Sequence, residues 1–131
     1  MWVAHVGDSR AYLLRRQQLH RLTEDHSKLA EKLRDGLRNP SARDMEVWDS
    51  MLTQAIGAAE RVIPAVSMVR VQLGDCFLLA TDGVTKQLTN PEMLALLLAS
   101  SSPEHACHQL VSAANAAGGA DNATCVIVEI D

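Results

Sequence analysis

The sequence predicts an α+β fold, and three observations carry that expectation. Short β-prone runs stand at both ends of the chain. A five-residue apolar run, Cys76-Phe77-Leu78-Leu79-Ala80, has the length of a strand buried on both faces. Two later segments each open with a capping residue followed by proline, the pattern of a helix start. At 131 residues the chain is read as one domain, residues 1–131, of a size that removes roughly two-thirds of its unfolded surface from water. Hydrophobic residues make up 47% of it but aromatics only 3%, so aliphatic packing has to fill the core.

Taken in order, Trp2 to Val6 and Ala11 to Arg15 are β-prone, and Gly7-Asp8-Ser9-Arg10 between them reads as the tip of a tight hairpin. Leu19 to Leu22 extends the sheet as a short third strand. A helix is expected to follow, capped by Asp25 or Ser27 and running to about Leu37. Between Gly36 and Ser50 the periodicity is weak, which predicts a long surface loop or a short helical insertion. Ala65 to Leu73 alternates as a strand, and Gly74-Asp75 turns the chain into the apolar run. Asn90-Pro91 and Ser102-Pro103 start two helices, over Met93 to Ala99 and Ala106 to Ala117. Gly118-Gly119 stops the second, and Ala123 to Ile130 closes the chain as a strand.

Several function classes are disfavoured by the bulk properties. A formal charge of −4 and a pI near 5.7 oppose the basic footprint of a nucleic-acid binder. No apolar run approaches the ~20 residues of a membrane span, and the first residues show neither a charged leader nor a long apolar core, so a cytoplasmic protein is expected. Cys76, Cys107 and Cys125 are odd in number and widely spaced; they fit neither a disulfide framework nor a zinc pair and read as buried small hydrophobes. His105 and His108 share a helical face but lack a second ligand pair.

The chemically suggestive feature is that Asp8, Asp82 and Asp121 all fall at strand ends beside turn residues. If the strand ending before Asp82 and the strand starting after Asp121 are antiparallel neighbours, their carboxylates converge on one rim. Close carboxylates repel unless a cation neutralises them, and hard oxygen ligands suit Mg²⁺, Mn²⁺ or Ca²⁺ better than zinc. Gly83 and Gly118-Gly119 give the backbone freedom to aim these ligands. The competing reading is that each Asp only makes a turn. Arg10 is a candidate partner for Asp8 or for a phosphate, and equally a surface arginine. Thr81, Thr85 and Lys86 flank the rim and receive no catalytic role. No nucleophile elbow, P-loop or Cys/His pair is present, which disfavours covalent catalysis.

Five strings then follow one another in a recognisable order: Val3-Ala4-His5-Val6-Gly7-Asp8-Ser9-Arg10-Ala11-Tyr12, Leu22-Thr23-Glu24-Asp25-His26-Ser27, Leu52-Thr53-Gln54-Ala55-Ile56-Gly57, the segment Gly74 to Val84, and Gly118-Gly119-Ala120-Asp121-Asn122-Ala123-Thr124. Together they resemble the C-terminal portion of PPM-type (type 2C) metal-dependent protein serine/threonine phosphatases. That resemblance implies part of an α-β-β-α sandwich, with antiparallel sheets flanked by helices and the family's N-terminal strands missing. It implies two Mg²⁺ or Mn²⁺ ions that activate a water against a phosphoserine or phosphothreonine of a phosphoprotein. Asp82 matches the ligand of the family's Ser/Thr-Asp-Gly motif and Asp121 that of its Asp-Asn motif. Asp8 matches a residue that binds a third metal in bacterial-type members. The family's N-terminal motifs, a phosphate-binding Arg, an Asn-Glu-Asp segment and an Asp-Gly-x-Gly-Gly segment, do not occur within these residues. The isolated chain is therefore expected to have little or no activity, and exposed sheet edges are expected to favour a homo-oligomer. The alternative is a non-catalytic pseudophosphatase or partner-binding module.

Overall fold

A computed structural model describes residues 1–131. Two antiparallel sheets organise it. A four-stranded sheet runs in the order β3-β2-β5-β6, from strands β2 (Arg10–Arg15), β3 (Gln18–Arg21), β5 (Cys76–Ala80) and β6 (Cys125–Glu129). A two-stranded sheet joins β1 (Trp2–His5) to β4 (Ala65–Met68). The helices are α1 (Lys28–Arg34), α2 (Ala42–Ser50), α3 (Asp82–Thr85), α4 (Asn90–Ala99) and α5 (Pro103–Ala116). The α+β class and its antiparallel sheets are as the sequence predicts.

The core follows from strand parity. Tyr12, Leu78 and Ile127 stand in one cross-strand row, and Ala80 pairs with Cys125 on the same face. That face meets Val84 of α3, Met93 and Leu97 of α4, and Ala106, Leu110 and Ala114 of α5. Rows of opposite parity, Leu13-Phe77-Val128 and Ala11-Leu79-Val126, look the other way. Phe77 is buried there, but Leu79 is 43% exposed and Val126 50% exposed, because both open onto an apolar cleft shared with Val3, Ala4 and Val6. The run Cys76 to Ala80 is thus central, as expected, yet buried on both faces only in part.

The expected hairpin between the first two strands is corrected. β1 pairs with β4 while β2 pairs with β3 and β5, so Gly7-Asp8-Ser9 carries the chain from one sheet to the other. A two-residue hairpin of the favoured type I′ needs two left-handed residues, and here only Gly7 has positive φ, at 104°. The true tight hairpin lies between β2 and β3, where Arg16 (φ 52°) and Gln17 (φ 60°) both adopt the left-handed region. Neither residue is a glycine or asparagine, so that turn carries no chemical signature in the sequence.

Other boundaries shift for identifiable reasons. Ser27, not Asp25, caps α1, its Oγ accepting from the Ala30 N–H. The 36–50 segment holds α2, capped by Ser41, so the short-helix form of that expectation is the correct one. Thr89 rather than Asn90 caps α4, forming a capping box with Glu92. Ser102 caps α5 as predicted. Asp75, expected only to turn the chain, is 1% exposed and receives both Nε and Nη2 of Arg15 at 2.7 Å. That bidentate pair, with the Gln72 N–H on the same carboxylate, holds the Asp75 pKa below the usual range.

Parity gives a direct test on adjacent residues. Leu78→Ala, at a fully buried position, should destabilise the chain by about 3 kcal/mol, whereas Leu79→Ala should cost less than about 1 kcal/mol. Urea denaturation of the two variants measures the difference.

Candidate functional site

The connections that carry the three aspartates leave one end of the four-stranded sheet, and the register explains how. Arg10, Ala80 and Cys125 form the last rung across β2, β5 and β6. The link carrying Asp8 precedes Arg10, Asp82 follows Ala80 after one residue, and the Asp121 loop precedes Cys125. All three connections must therefore leave from the same rim.

Thr81 and Gly83 tie two of these connections together. The Thr81 N–H donates to the Thr124 carbonyl at 3.0 Å, and the Thr124 N–H donates to Thr81 Oγ1 at 3.0 Å. Although Thr81 sits at the N-cap of α3, its hydroxyl makes no cap bond, being committed to the neighbouring loop. A Cβ on Gly83 would lie 2.7 Å from the Asn122 carbonyl carbon, a separation real Cβ atoms essentially never show. Gly83 is needed for this close approach of backbones. The conformational freedom expected of Gly83 is not what the position uses, because its φ is not in the left-handed region.

Asp8 and Asp82 converge on one cation. Lys86 Nζ lies 3.1 Å from Asp8 Oδ2 and 2.9 Å from Asp82 Oδ2. Burial alone would lower the Lys86 pKa, but the two carboxylates outweigh it and hold the ammonium charged above its ordinary range. Asp121 stands apart on its loop, its Oδ1 accepting from the Asn122 N–H at 2.7 Å. Its neighbours Gly119, Ala120, Asn122, Ala123 and Thr124 line a polar depression with it. Lys86 flanks the rim as the sequence indicates, and its i,i+4 spacing from Asp82 is the local signal for that part of the pairing.

Arg10 is not a partner of Asp8. Its Nε and Nη2 donate to Asp25, with Nη2 at 2.7 Å, and Arg21 adds a second ion pair to the same buried carboxylate. Burial works against the Arg10 charge, but the Asp25 bonds more than compensate and raise its pKa. Next to Asp25, His26 pins the Asp8 link. Its N–H donates to the Gly7 carbonyl at 2.9 Å and its Nδ1 accepts from the Gly7 N–H at 3.2 Å. His5 stacks on His26 at 4.7 Å between ring centroids and contacts the Glu24 carbonyl through Nε2.

The donor chemistry of this rim fits a hard divalent cation in kind. Two carboxylates already share one cation position, held by the Lys86 ammonium, and all the available donors are oxygens. The number is short of a full shell: no group of three or more His, Cys, Asp or Glu side chains that could hold a metal ion forms within these residues.

Comparison with known proteins agrees with this architecture. The family model Protein phosphatase 2C matches residues 1–123. Protein phosphatase PhpP of Streptococcus pneumoniae is 34% identical over 128 residues, 98% of this chain and 52% of the relative. The solved serine/threonine phosphatase of S. agalactiae superposes with a TM-score of 0.91 at 31% identity, over 99% of this chain and 54% of that one. The catalytic domain of the serine threonine protein phosphatase PstP, solved in complex with two manganese ions, gives 0.83 at 28% identity over 99% and 54%. The chain belongs to the protein phosphatase 2C family. It spans about half the length of the curated relatives it matches.

Two measurements test the rim. Gly83→Ala would ordinarily favour a helix, but here it should destabilise by about 1–3 kcal/mol because the methyl group meets the Asn122 backbone; thermal melting gives the sign. The His26 pKa is lowered, first by burial and then by the neighbouring His5. The unfolded chain therefore binds more protons than the folded one, so stability is complete above pH 6.5 and falls as the pH drops below it. Urea midpoints between pH 8 and 5 should show that decline, and His26→Gln should flatten it.

Proposed function

We propose that this chain is the C-terminal portion of a phosphatase that hydrolyses phosphoserine and phosphothreonine in proteins, with Asp8, Asp82 and Asp121 as ligands of Mg²⁺ or Mn²⁺. The observation that carries the reading is the convergence of Asp8 and Asp82 on one cation position, in a chain of this family. Such an ion supplies Lewis acidity that makes a water nucleophilic at neutral pH and screens the phosphoryl oxygens. The residues of the chain position and neutralise. Lys86 screens the repulsion between Asp8 and Asp82 when no other cation is there. Thr81 and Gly83 keep the Asp121 loop beside the start of α3. Arg10, committed to Asp25, orders the strand that leads from the Asp8 link and is not free to bind phosphate.

The small donor number supports a further part of the reading: alone, the chain has little or no phosphatase activity. No helix is long and apolar enough to cross a membrane. We place the chain's action on phosphoproteins in the cytoplasm, with no membrane partner; the formal charge of −4 further opposes a nucleic-acid partner. A second reading, a non-catalytic pseudophosphatase or partner-binding module, is favoured by the cleft between the sheets, where Leu79 and Val126 remain half exposed.

The test combines two readouts on the 131-residue chain: Mn²⁺-dependent hydrolysis of a phosphothreonine peptide, and thermal melting against Mn²⁺ concentration. The expected result is negligible hydrolysis with a Mn²⁺-dependent rise in Tm that Asp82→Asn and Asp121→Asn abolish. Hydrolysis lost in both variants would support the ligand assignment and overturn the expected inactivity. Absence of both hydrolysis and a metal-dependent Tm would overturn the ligand assignment and favour the binding module.

A further inference from the structure

The three cysteines, widely spaced in sequence, are not equivalent in the fold. All are free and half-buried rather than fully buried. Cys107 lies on α5 and Cys125 begins the edge strand β6, on the face that α5 covers. Their contact is reciprocal: the Cys107 sulfur lies 4.0 Å from the Cys125 carbonyl oxygen, and the Cys125 sulfur lies 3.7 Å from the Cys107 carbonyl oxygen. Each sulfur lies against the backbone of the other residue, which brings the two short side chains together. They line one surface cleft, together with Glu104, His108 and Val111, so a small solute reaches them.

We propose that Cys107 and Cys125 form a reversible disulfide, a modification site that fastens α5 to the edge strand β6. Cys76 is excluded from pairing with Cys125 by register. Ala80 is the partner of Cys125, and Cys76 stands four residues back along β5, about 13 Å at ~3.3 Å per residue. A disulfide joins Cα atoms no more than about 7 Å apart. The pairing does not rest on the phosphatase reading, since neither sulfur is part of the acidic rim.

A peroxide such as hydrogen peroxide serves as the oxidant. The thiolate of one of the two cysteines attacks one peroxide oxygen, forming an S–O bond as the O–O bond breaks, and hydroxide leaves as water with a proton. The sulfur of the other cysteine then attacks the oxidised sulfur, forming the S–S bond as the S–O bond breaks, and a second water leaves. Two thiols are oxidised to one disulfide and one peroxide is reduced to two waters. Burial pushes the Cys125 thiol up to about 12, with the Cys107 sulfur beside it adding to the shift. Burial likewise pushes Cys76 up to about 11. Either sulfur of the pair can meet the oxidant first, and both orders give the same disulfide. The cross-link closes a loop over a sequence separation of 18 residues, and that loop includes Asp121.

The test treats the reduced, folded 131-residue chain with hydrogen peroxide, alkylates remaining thiols and maps the products by mass spectrometry without reduction. The expected result is loss of two hydrogens, one peptide joining Cys107 to Cys125, and Cys76 recovered alkylated. Tm should rise by about 10 °C and return on adding a thiol reductant. Cys76→Ser should behave as the parent does. Cys107→Ser and Cys125→Ser should form no intramolecular link and show no rise. Recovery of Cys107 and Cys125 in alkylated form, a link through Cys76, or links between chains would overturn the proposal, and the map of the unsubstituted chain decides it even if a variant fails to fold.

Discussion

The clasp between the end of β5 and the start of β6 is the constraint on which the rest of the rim depends. Backbone pairing of Ala80 with Cys125 is continued past the strands by Thr81 and Thr124, which exchange two further bonds. Gly83 then lets the Asn122 backbone settle against the first turn of α3. A methyl group there, or a hydroxyl spent on capping α3, would separate the Asp82 and Asp121 connections. The clasp uses the two chemical properties those positions retain: a side-chain hydroxyl at residue 81 and no side chain at residue 83.

A second constraint fixes the Asp8 link. Asp25, His26 and Ser27 are consecutive, and each does a different job: Asp25 neutralises Arg10 and Arg21, His26 bonds both backbone groups of Gly7, and Ser27 caps α1. Because the Gly7 N–H donates to Nδ1, His26 must be neutral with its proton on the other nitrogen. Lys86 then resolves the electrostatic problem created by bringing Asp8 to Asp82, since two carboxylates at that spacing repel unless a cation lies between them. The same arrangement makes the position one for which a divalent cation would compete.

The two faces of the four-stranded sheet differ in a way that bears on partners. The face toward α3, α4 and α5 is closed by aliphatic side chains from both sides, with Leu78, Met93 and Leu110 fully buried. The opposite face buries Leu13 and Phe77 but leaves an apolar cleft between Leu79 and Val126 and the residues of β1. The solved relatives that superpose on this chain are nearly twice its length.

The sequence by itself determined the α+β class, most of the element types and the candidate ligands. Proline after Ser102, the apolar run at 76–80 and the ordered motif strings are local signals, written in side-chain chemistry that acts over a few residues. The convergence of the strand ends was legible as a condition on antiparallel pairing, and that pairing is present. Only the tertiary structure decided which strands pair. β1 and β2 are both β-prone and separated by a glycine-containing link, a pattern equally suited to a hairpin and to a crossover; the choice is made by β4 and β5, some sixty residues later in the chain. It likewise decided that Arg10 serves Asp25, that Lys86 reaches Asp8, and that Cys107 meets Cys125. Such partnerships between residues distant in sequence follow from strand register and layer packing, and neither is encoded in the local spacing of the residues concerned.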